Sequence, residues 1–397
     1  METLKLLFWI MLFIVFYTYI GYGMVLYILV RIKRQFPKDK VEEQKALTFP
    51  DVTLLIPAFN EKDYVDKKMQ NTFSLDYPED KLKICWVTDG SDDGTPDLAR
   101  SYDGVEVYHI AERNGKINAM NRAMSYVDSP IVVFSDANTQ LGVESIKRIV
   151  NCFNDPQVGC VSGEKRIVNK AKDSAAGAGE GIYWRYESTL KKWDAELHSV
   201  VGAAGELFAI RSELYTPVEE DTILDDFIIS LRVAQKGYKI GYDPKAYAIE
   251  YASADVKEEL KRKIRISAGG IQSIIRLSGL LNIFKYKTLS FQYISHRVLR
   301  WSLTPICLML LLLTSVVLAT SEGIIGIGLY TILFWLQVMF YVAAFFGSIQ
   351  QHKQTKLKAL FIPYYFLMMN YSVILGFLRF AGNNQSVNWE RAKRAYS

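Results

Sequence analysis

Little in this chain suits a zinc or redox centre. Its four cysteines, Cys85, Cys152, Cys160 and Cys307, form no CxxC pair, and its four histidines form no HExxH or comparable spacing, so no zinc site is expected. Charge of one sign is not in excess either. Lys and Arg number 47 against 42 Asp and Glu, and the cations are mixed with acids rather than gathered into a stripe, so nucleic acid is not an expected partner. The segment Pro57-Ala58-Phe59-Asn60-Glu61, after the first apolar strand of the central section, has no glycine. That excludes a dinucleotide-dependent oxidoreductase, whose GxGxxG turn would have to stand there.

What the chain does have is apolar residues, concentrated at its two ends. Residues 4–30 carry Lys5 as their only charge, and a bilayer crossing needs about 20 apolar residues. The run continues through aromatics into Arg31, Lys33 and Arg34, without the small-residue cleavage site of a secretory signal. Residues 1–31 are therefore expected to be a transmembrane anchor, followed by a linker over 32–48. Residues 301–319 and 324–347, split by Thr320, Ser321 and Glu322, read as a membrane hairpin. A third stretch, 360–380, follows the basic residues His352, Lys353, Lys356 and Lys358, so 300–381 should hold about three membrane segments.

Basic residues gather after the first span, before the second and between the third and fourth, which places the central section in the cytoplasm by the positive-inside rule. The expectation is a multi-pass protein of the cell (inner, cytoplasmic) membrane, in contact with its lipids. Four crossings would put the basic tail 382–397, with Trp389, Arg391, Lys393 and Arg394, on the disfavoured side. The last stretch, carrying Pro363, Tyr364, Tyr365 and Asn370, is the most polar and the best candidate for a segment that does not cross. A transporter would need more spans and more intramembrane polar groups than these.

Residues 49–255 alternate short β-branched runs with helical periodicity, the pattern of an α/β domain around a mostly parallel sheet. Strands are expected at 51–57, 82–88, 105–110 and 130–135, with helices at 63–75, 114–127, 143–153 and 228–235. Ligands bind beyond the carboxyl ends of such strands. There the sequence places Ala58-Phe59-Asn60-Glu61, then Asp89-Gly90-Ser91-Asp92-Asp93-Gly94-Thr95, then Asp136-Ala137-Asn138-Thr139. Asp136 and Asn138, two apart after an apolar strand, would share one side of an extended backbone and one hard cation, Mg2+ or Mn2+. Asp225 and Asp226 precede a helical run, where a carboxylate pair is also a plain helix cap.

Six segments in order, LLIPAFNE (54–61), VTDGSDDGT (87–95), NGKINAMNRA (114–123), FSDANT (134–139), GAAGELFAIR (202–211) and LDDFIISLRVAQKGYKIGYDP (224–244), resemble the family-2 glycosyltransferases. That family includes cellulose, hyaluronan and poly-N-acetylglucosamine synthases. The resemblance implies a GT-A fold, a Rossmann-like nucleotide-sugar-binding domain flanked here by transmembrane helices, and an inverting transfer from a nucleotide sugar, most commonly a UDP-sugar. Asp89 would contact the nucleobase, Ala58 and Glu61 would line the nucleoside pocket, and Lys116 would lie nearby. Asp136 and Asn138 fall on the family's DxD metal motif, with Asn in place of the second Asp. Asp226 falls on the catalytic carboxylate that takes the acceptor's proton, with Asp225 tuning it. Gly202, Gly205 and Glu206 fall on the loop lining the acceptor site.

Family synthases carry QxxRW on a helix lying along the membrane. This chain has Arg262-Lys263-Ile264-Arg265-Ile266 instead, on what should be amphipathic interface helices over 256–299. Arg262 and Arg265 suit a diphosphate because a guanidinium gives two directed bonds; without Gln and Trp, processive synthesis stays open. The acceptor also stays open, a growing polysaccharide or a lipid-linked molecule, and a non-catalytic sugar-nucleotide-binding subunit is the remaining alternative. GAGEG at 177–181 has no strand before it and is read as a flexible loop near the acceptor path. Oligomeric state is not encoded in anything recognisable.

Overall fold

A computed structural model describes residues 1–36, 49–168, 175–251, 253, 256–349 and 358–382, with backbone only for 175–183 and 358. The expected features at His352, Lys353 and Lys356, in most of the linker 32–48, and in the tail with Trp389, Arg391, Lys393 and Arg394 lie outside the described residues.

The chain opens with α1 (Glu2–Phe16) and α2 (Tyr22–Gln35), joined through a π-helical turn, Tyr17–Gly21, into one unbroken helix. The first four residues of the expected linker are its last turn. Next come β1 (Val52–Ala58), α3 (Lys62–Phe73), β2 (Leu82–Asp89), α4 (Thr95–Arg100), β3 (Val105–Ile110), α5 (Lys116–Ala123), β4 (Ile131–Ser135), the short β5 (Gln140–Leu141) and α6 (Ser145–Cys152). Then follow β6 (Val158–Val168), α7 (Ala175–Leu197), β7 (Leu207–Arg211), α8 (Asp225–Gln235) and β8 (Lys239–Tyr251). The rest is helical: α9 (Val256–Arg276), the short α10 (Ile283–Tyr286), α11 (Thr288–Tyr293) and α12 (Leu299–Trp301), and the long α13 (Leu303–Glu322), α14 (Leu329–Ile349) and α15 (Lys358–Ala381).

The strands form one mixed sheet in the order β3-β2-β1-β4-β7-β6-β8-β5. Only its first half is the expected parallel unit: β1 pairs in parallel with β2 and β4, and β2 with β3. From β7 onward the pairing is antiparallel except between β6 and β8. The apolar runs of β1, β2 and β4 lack polar alternation because both faces are covered, as in α/β sheets generally. Leu55, Val87, Val132 and Phe134 pack on one face with α5 and α8, while Leu54, Ile56, Trp86 and Val133 pack on the other with α3 and α6.

Two sequence expectations fail here. GAGEG is not a loop, since residues 175–197 form one helix. Its glycines each cost about 1 kcal/mol against Ala, but the same helix buries Leu190 and packs Tyr186 and Trp193 against Tyr22 and Leu26 of α2, and packing outweighs propensity. Asp136 and Asn138 are not in extended backbone either. They sit in a turn closed by the Thr139 N–H on the Asp136 carbonyl at 3.3 Å.

Four helices, Glu2–Gln35, Leu303–Glu322, Leu329–Ile349 and Ala359–Ala381, are long and apolar enough to cross a membrane, and the chain is a membrane protein. The first packs against α13 through Phe8, Met11, Cys307 and Leu311. The last follows α9. Phe361, Tyr365 and Met368 pack with Val256 and Leu260, and a Cβ on Gly376 would meet Ser267 and Ala268 at 2.6 and 2.8 Å.

Candidate active site

Asp89 ends β2 with its side chain buried. Its Oδ2 accepts the backbone N–H groups of Asn114 at 2.8 Å and Gly115 at 2.6 Å, while Oδ1 has no hydrogen-bond partner among the described residues. Burial raises this carboxyl above the usual range, opposed by those two N–H groups. A small cavity of about 40 Å³ at this point is lined by Ala58, Glu61, Asp89, Arg113, Asp136 and Asn138. Edge residues from three separate strands thus converge on one hollow, as the sheet geometry requires.

Lys116, the first residue of α5, joins this hollow to a larger one. Its ammonium lies 2.8 Å from Asp136 Oδ1 and 3.3 Å from Asp225 Oδ2. Burial disfavours its charge, but Asp136 and Asp225 more than offset this and raise its pKa. Asp136 is pushed up by burial and held back by Lys116. Sequence reasoning missed what holds this turn. The buried Lys68 of α3 donates to Ser135 Oγ at 2.7 Å and to the carbonyls of Asp136 and Thr139, both at 3.0 Å. Burial lowers this lysine to about 7. Nothing in the surrounding KKMQ marks it out.

Asp225 and Asp226 form the first turn of α8, not residues ahead of it, because the helix begins at Asp225. Carboxylates are favoured there by the helix dipole. Burial, then the neighbouring Asp225, raises the Asp226 carboxyl to about 7, against the pull of Lys116. Ser230, one turn on, donates to the Asp226 carbonyl at 2.7 Å and accepts the Ala203 N–H at 2.9 Å, which ties the 202–206 loop to α8. Gly202 has φ +84° and a Cβ on it would lie 2.2 Å from Phe227 Cδ2; a Cβ on Gly205 would lie 3.2 Å from Asp226 Oδ2. The backbone approaches the acid pair as closely as it does because these positions lack side chains.

The larger cavity, about 760 Å³, contains Asp136, Asp225, Asp226, Gly205, Arg262 and Arg265 in its wall. Glu206 also lines it but is engaged by Lys165, which bridges Glu206 and Glu250. Against the effect of burial, Lys165 brings the Glu206 carboxyl down to about 2. Arg262 holds Glu259 through two bonds of 3.1 Å. Burial and the adjacent Arg262 lower the pKa of Arg265. The structure therefore brings Ala58, Glu61, Asp89 and Asn138 together on one side, Gly205, Glu206, Asp225, Asp226, Arg262 and Arg265 on the other, and Lys116 and Asp136 between.

The lining also includes residues the sequence did not point to, among them Glu187, Arg297, Arg300 and Trp301. Glu187 takes Arg297 at 2.7 Å, Arg300 at 3.0 Å and His296 at 3.3 Å. A signal was present, because Arg297-Val298-Leu299-Arg300 repeats the Arg-x-x-Arg spacing of Arg262 to Arg265. Next to this group, His296 lies 2.6 Å from Asp194, which also accepts from the Tyr22 hydroxyl and, at 3.0 Å, from Gln292.

Residues 53–216 match Glycosyl transferase family 2. Among curated proteins, the chain is 25% identical over 248 residues to the poly-beta-1,6-N-acetyl-D-glucosamine synthase of Staphylococcus aureus (strain MSSA476), covering 60% of this chain and 58% of that one. It is 26% identical over 271 residues to "Probable glycosyltransferase YdaM" of Bacillus subtilis (strain 168), covering 64% and 62%. The match thus spans about three fifths of these relatives' length. Among solved structures, the mannosyltransferase PcManGT from Pyrobaculum calidifontis, in complex with GDP-Man and Mn2+, superposes with a TM-score of 0.70 at 20% identity, over 96% of this chain and 100% of that one. The fold is GT-A, and residues 53–216 of the chain carry a glycosyl transferase family 2 domain.

Proposed function

We propose that this protein is an inverting glycosyltransferase that moves a sugar from a nucleotide sugar, a UDP-sugar by family precedent, to an acceptor hydroxyl at the cytoplasmic face of the cell membrane. The observation carrying this reading is the convergence of the Asp89 hollow and the Asp225–Asp226 cavity on one shared wall, Lys116 with Asp136. A donor bridging the two would put its base against Asp89, whose Oδ1 awaits a partner, and its diphosphate at Asp136, Asn138 and Lys116. Arg262 and Arg265 face the same space and suit the leaving phosphates. Asp226, its carboxyl raised to about 7, is suited to take a proton near neutral pH. Asp225 orients it, and Gly205 lets the acceptor approach.

The residues present fit a divalent cation. Asp136 and Asn138 offer hard oxygen atoms beside the diphosphate position, and among the described residues no cluster of three or more His, Cys, Asp or Glu could hold an ion alone. That is the donor set of Mg2+ or Mn2+ bound together with substrate phosphates. Such an ion would offset the charge on the departing diphosphate. The neighbour PcManGT was solved with Mn2+.

The domain reading keeps 49–255 as the catalytic unit and 256–299 as interface helices. α15 is assigned to the interface too, since it follows α9 along its length, and α9, with Lys257, Glu258, Glu259, Lys261 and Arg262, is too charged to enter hydrocarbon. Three crossings then leave the basic tail on the catalytic side. The test is to incubate purified protein in lipid with a panel of radiolabelled nucleotide sugars, with and without chelator. Metal-dependent release of the nucleoside diphosphate supports the assignment, and binding without turnover for every donor would favour a non-catalytic subunit.

A further inference from the structure

Resting on that reading of the site, we infer that the acceptor is a membrane lipid with a free hydroxyl on its polar head, admitted sideways from the bilayer between the first helix and α15. The cavity that holds Asp225, Asp226 and Gly205 continues to an apolar wall made by Tyr19, Ile20, Ile362, Phe366, Met369 and Val373. Ile20 and Ile362 are 54% and 45% exposed, so they form the rim where the cavity meets the surroundings of the membrane helices. Tyr19 spans the gap to α15, stacking edge-on to Phe366 at 4.7 Å and donating to Asn370 at 2.6 Å. A polar catalytic end joined to an apolar lateral mouth matches an amphiphile, head inward and chain outward.

The cavity stops at this level. Among the described residues, none of α13, α14 or Glu2–Phe16 lines it, so this cavity supplies no polar route onward through the spanning helices. A growing hydrophilic polymer would need such a route to cross, because hydrocarbon offers its hydroxyls no hydrogen bonds. A lipid needs none, because its chain stays in the bilayer. The head carries a hydroxyl rather than a phosphate as nucleophile, since the acid pair Asp225 and Asp226 stands in the cavity wall to take a proton and an ionised phosphate has none to give. In the step itself the hydroxyl oxygen bonds to the anomeric carbon and its proton passes to the Asp226 carboxylate. The bond from that carbon to the diphosphate oxygen breaks with its electron pair on the departing nucleoside diphosphate.

The full chain in phosphatidylcholine vesicles, given the radiolabelled nucleotide sugar it hydrolyses, is offered diacylglycerol, a glycosyl diacylglycerol, a polyisoprenyl phosphate or a soluble oligosaccharide. Label moving into an organic-extractable glycolipid made from a hydroxyl lipid is the expected result. Ile20→Trp with Ile362→Trp should lower that transfer at least tenfold and leave donor hydrolysis without acceptor unchanged. In a second measurement, a benzophenone side chain at position 362 should capture the labelled glycolipid on irradiation. Label only in soluble oligosaccharide or polymer, label only on polyisoprenyl phosphate, or full lipid transfer by the rim variant each overturns the inference while donor turnover persists. Absence of any donor binding or turnover overturns the reading of the site itself.

Discussion

The ammonium of Lys116 lies 2.8 Å from the Asp136 carboxylate, at the place proposed for the donor's diphosphate and its cation. Lys116 keeps Asp136 and Asp225 from facing each other unneutralised, and it gives the proposed metal position a charge of its own. Lys116→Met should destabilise the chain by about 3 kcal/mol, as for a broken buried pair. It should also lower transfer at least about tenfold, and move half-saturation of donor binding to a lower metal concentration because Asp136 loses its competitor. Asp136→Ala should abolish metal-dependent donor binding, and Asn138→Asp should tighten it. Urea titration and metal-dependent nucleotide-sugar binding check all three, and an unmoved metal titration in Lys116→Met counts against the arrangement.

Asp226→Asn keeps the shape of the side chain but accepts no proton. Turnover should fall about a hundred- to ten-thousandfold with donor affinity nearly unchanged, and Asp225→Asn should cost less. In the wild type, kcat/KM should rise as pH increases through about 7 and level off above it, because the Asp226 carboxyl, raised by burial and by Asp225, is protonated and idle on the acid side. A rate flat from pH 5 to 9 would remove Asp226 from the base role. Near wild-type transfer in Asp226→Asn with none in Asp225→Asn would exchange the two roles.

The two loop glycines should separate. Gly202→Ala puts a side chain into left-handed backbone and against Phe227, and should cost about 2 kcal/mol of stability. Gly205→Ala sets its Cβ beside the Asp226 carboxylate without backbone strain, so it should fold normally and lower kcat about ten- to a hundredfold through displacement of the base. Thermal melts alongside steady-state kinetics distinguish a folding defect from a misplaced group.

The position of α15 gives a topological prediction. A single cysteine introduced in the tail, in a background cleared of the native four, should resist an impermeant thiol reagent on intact cells and react once the membrane is opened. Labelling from outside would mean that α15 crosses after all.

The sequence made the donor side of the site more legible than the membrane side, for physical reasons. Asp89 and Asp136 each stand at the carboxyl end of a largely apolar strand, and parallel strands end on one edge, so period and polarity alone bring them together. Lys68 escaped notice because its partners are backbone carbonyls, which leave no pattern in side-chain identity. Glu187 and Arg300 meet through tertiary packing between distant helices, and no local rule relates them. The strand-to-turn change at Asp136 was missed because the period-two argument holds only while the backbone stays extended.

The first helix has a consequence for what the protein can act upon. It runs without a break for 34 residues, about 50 Å at 1.5 Å per residue, and midway along its length it is fastened to α7 through Tyr22 with Asp194 and through the Tyr186 hydroxyl on the Tyr19 carbonyl. On the proposed placement of the catalytic domain at the membrane face, this fastening holds the acid pair at one depth relative to the bilayer. For the lipid acceptor inferred above, depth becomes a criterion of selection: a headgroup too short would strand its hydroxyl above Asp226, and one too long would carry it past.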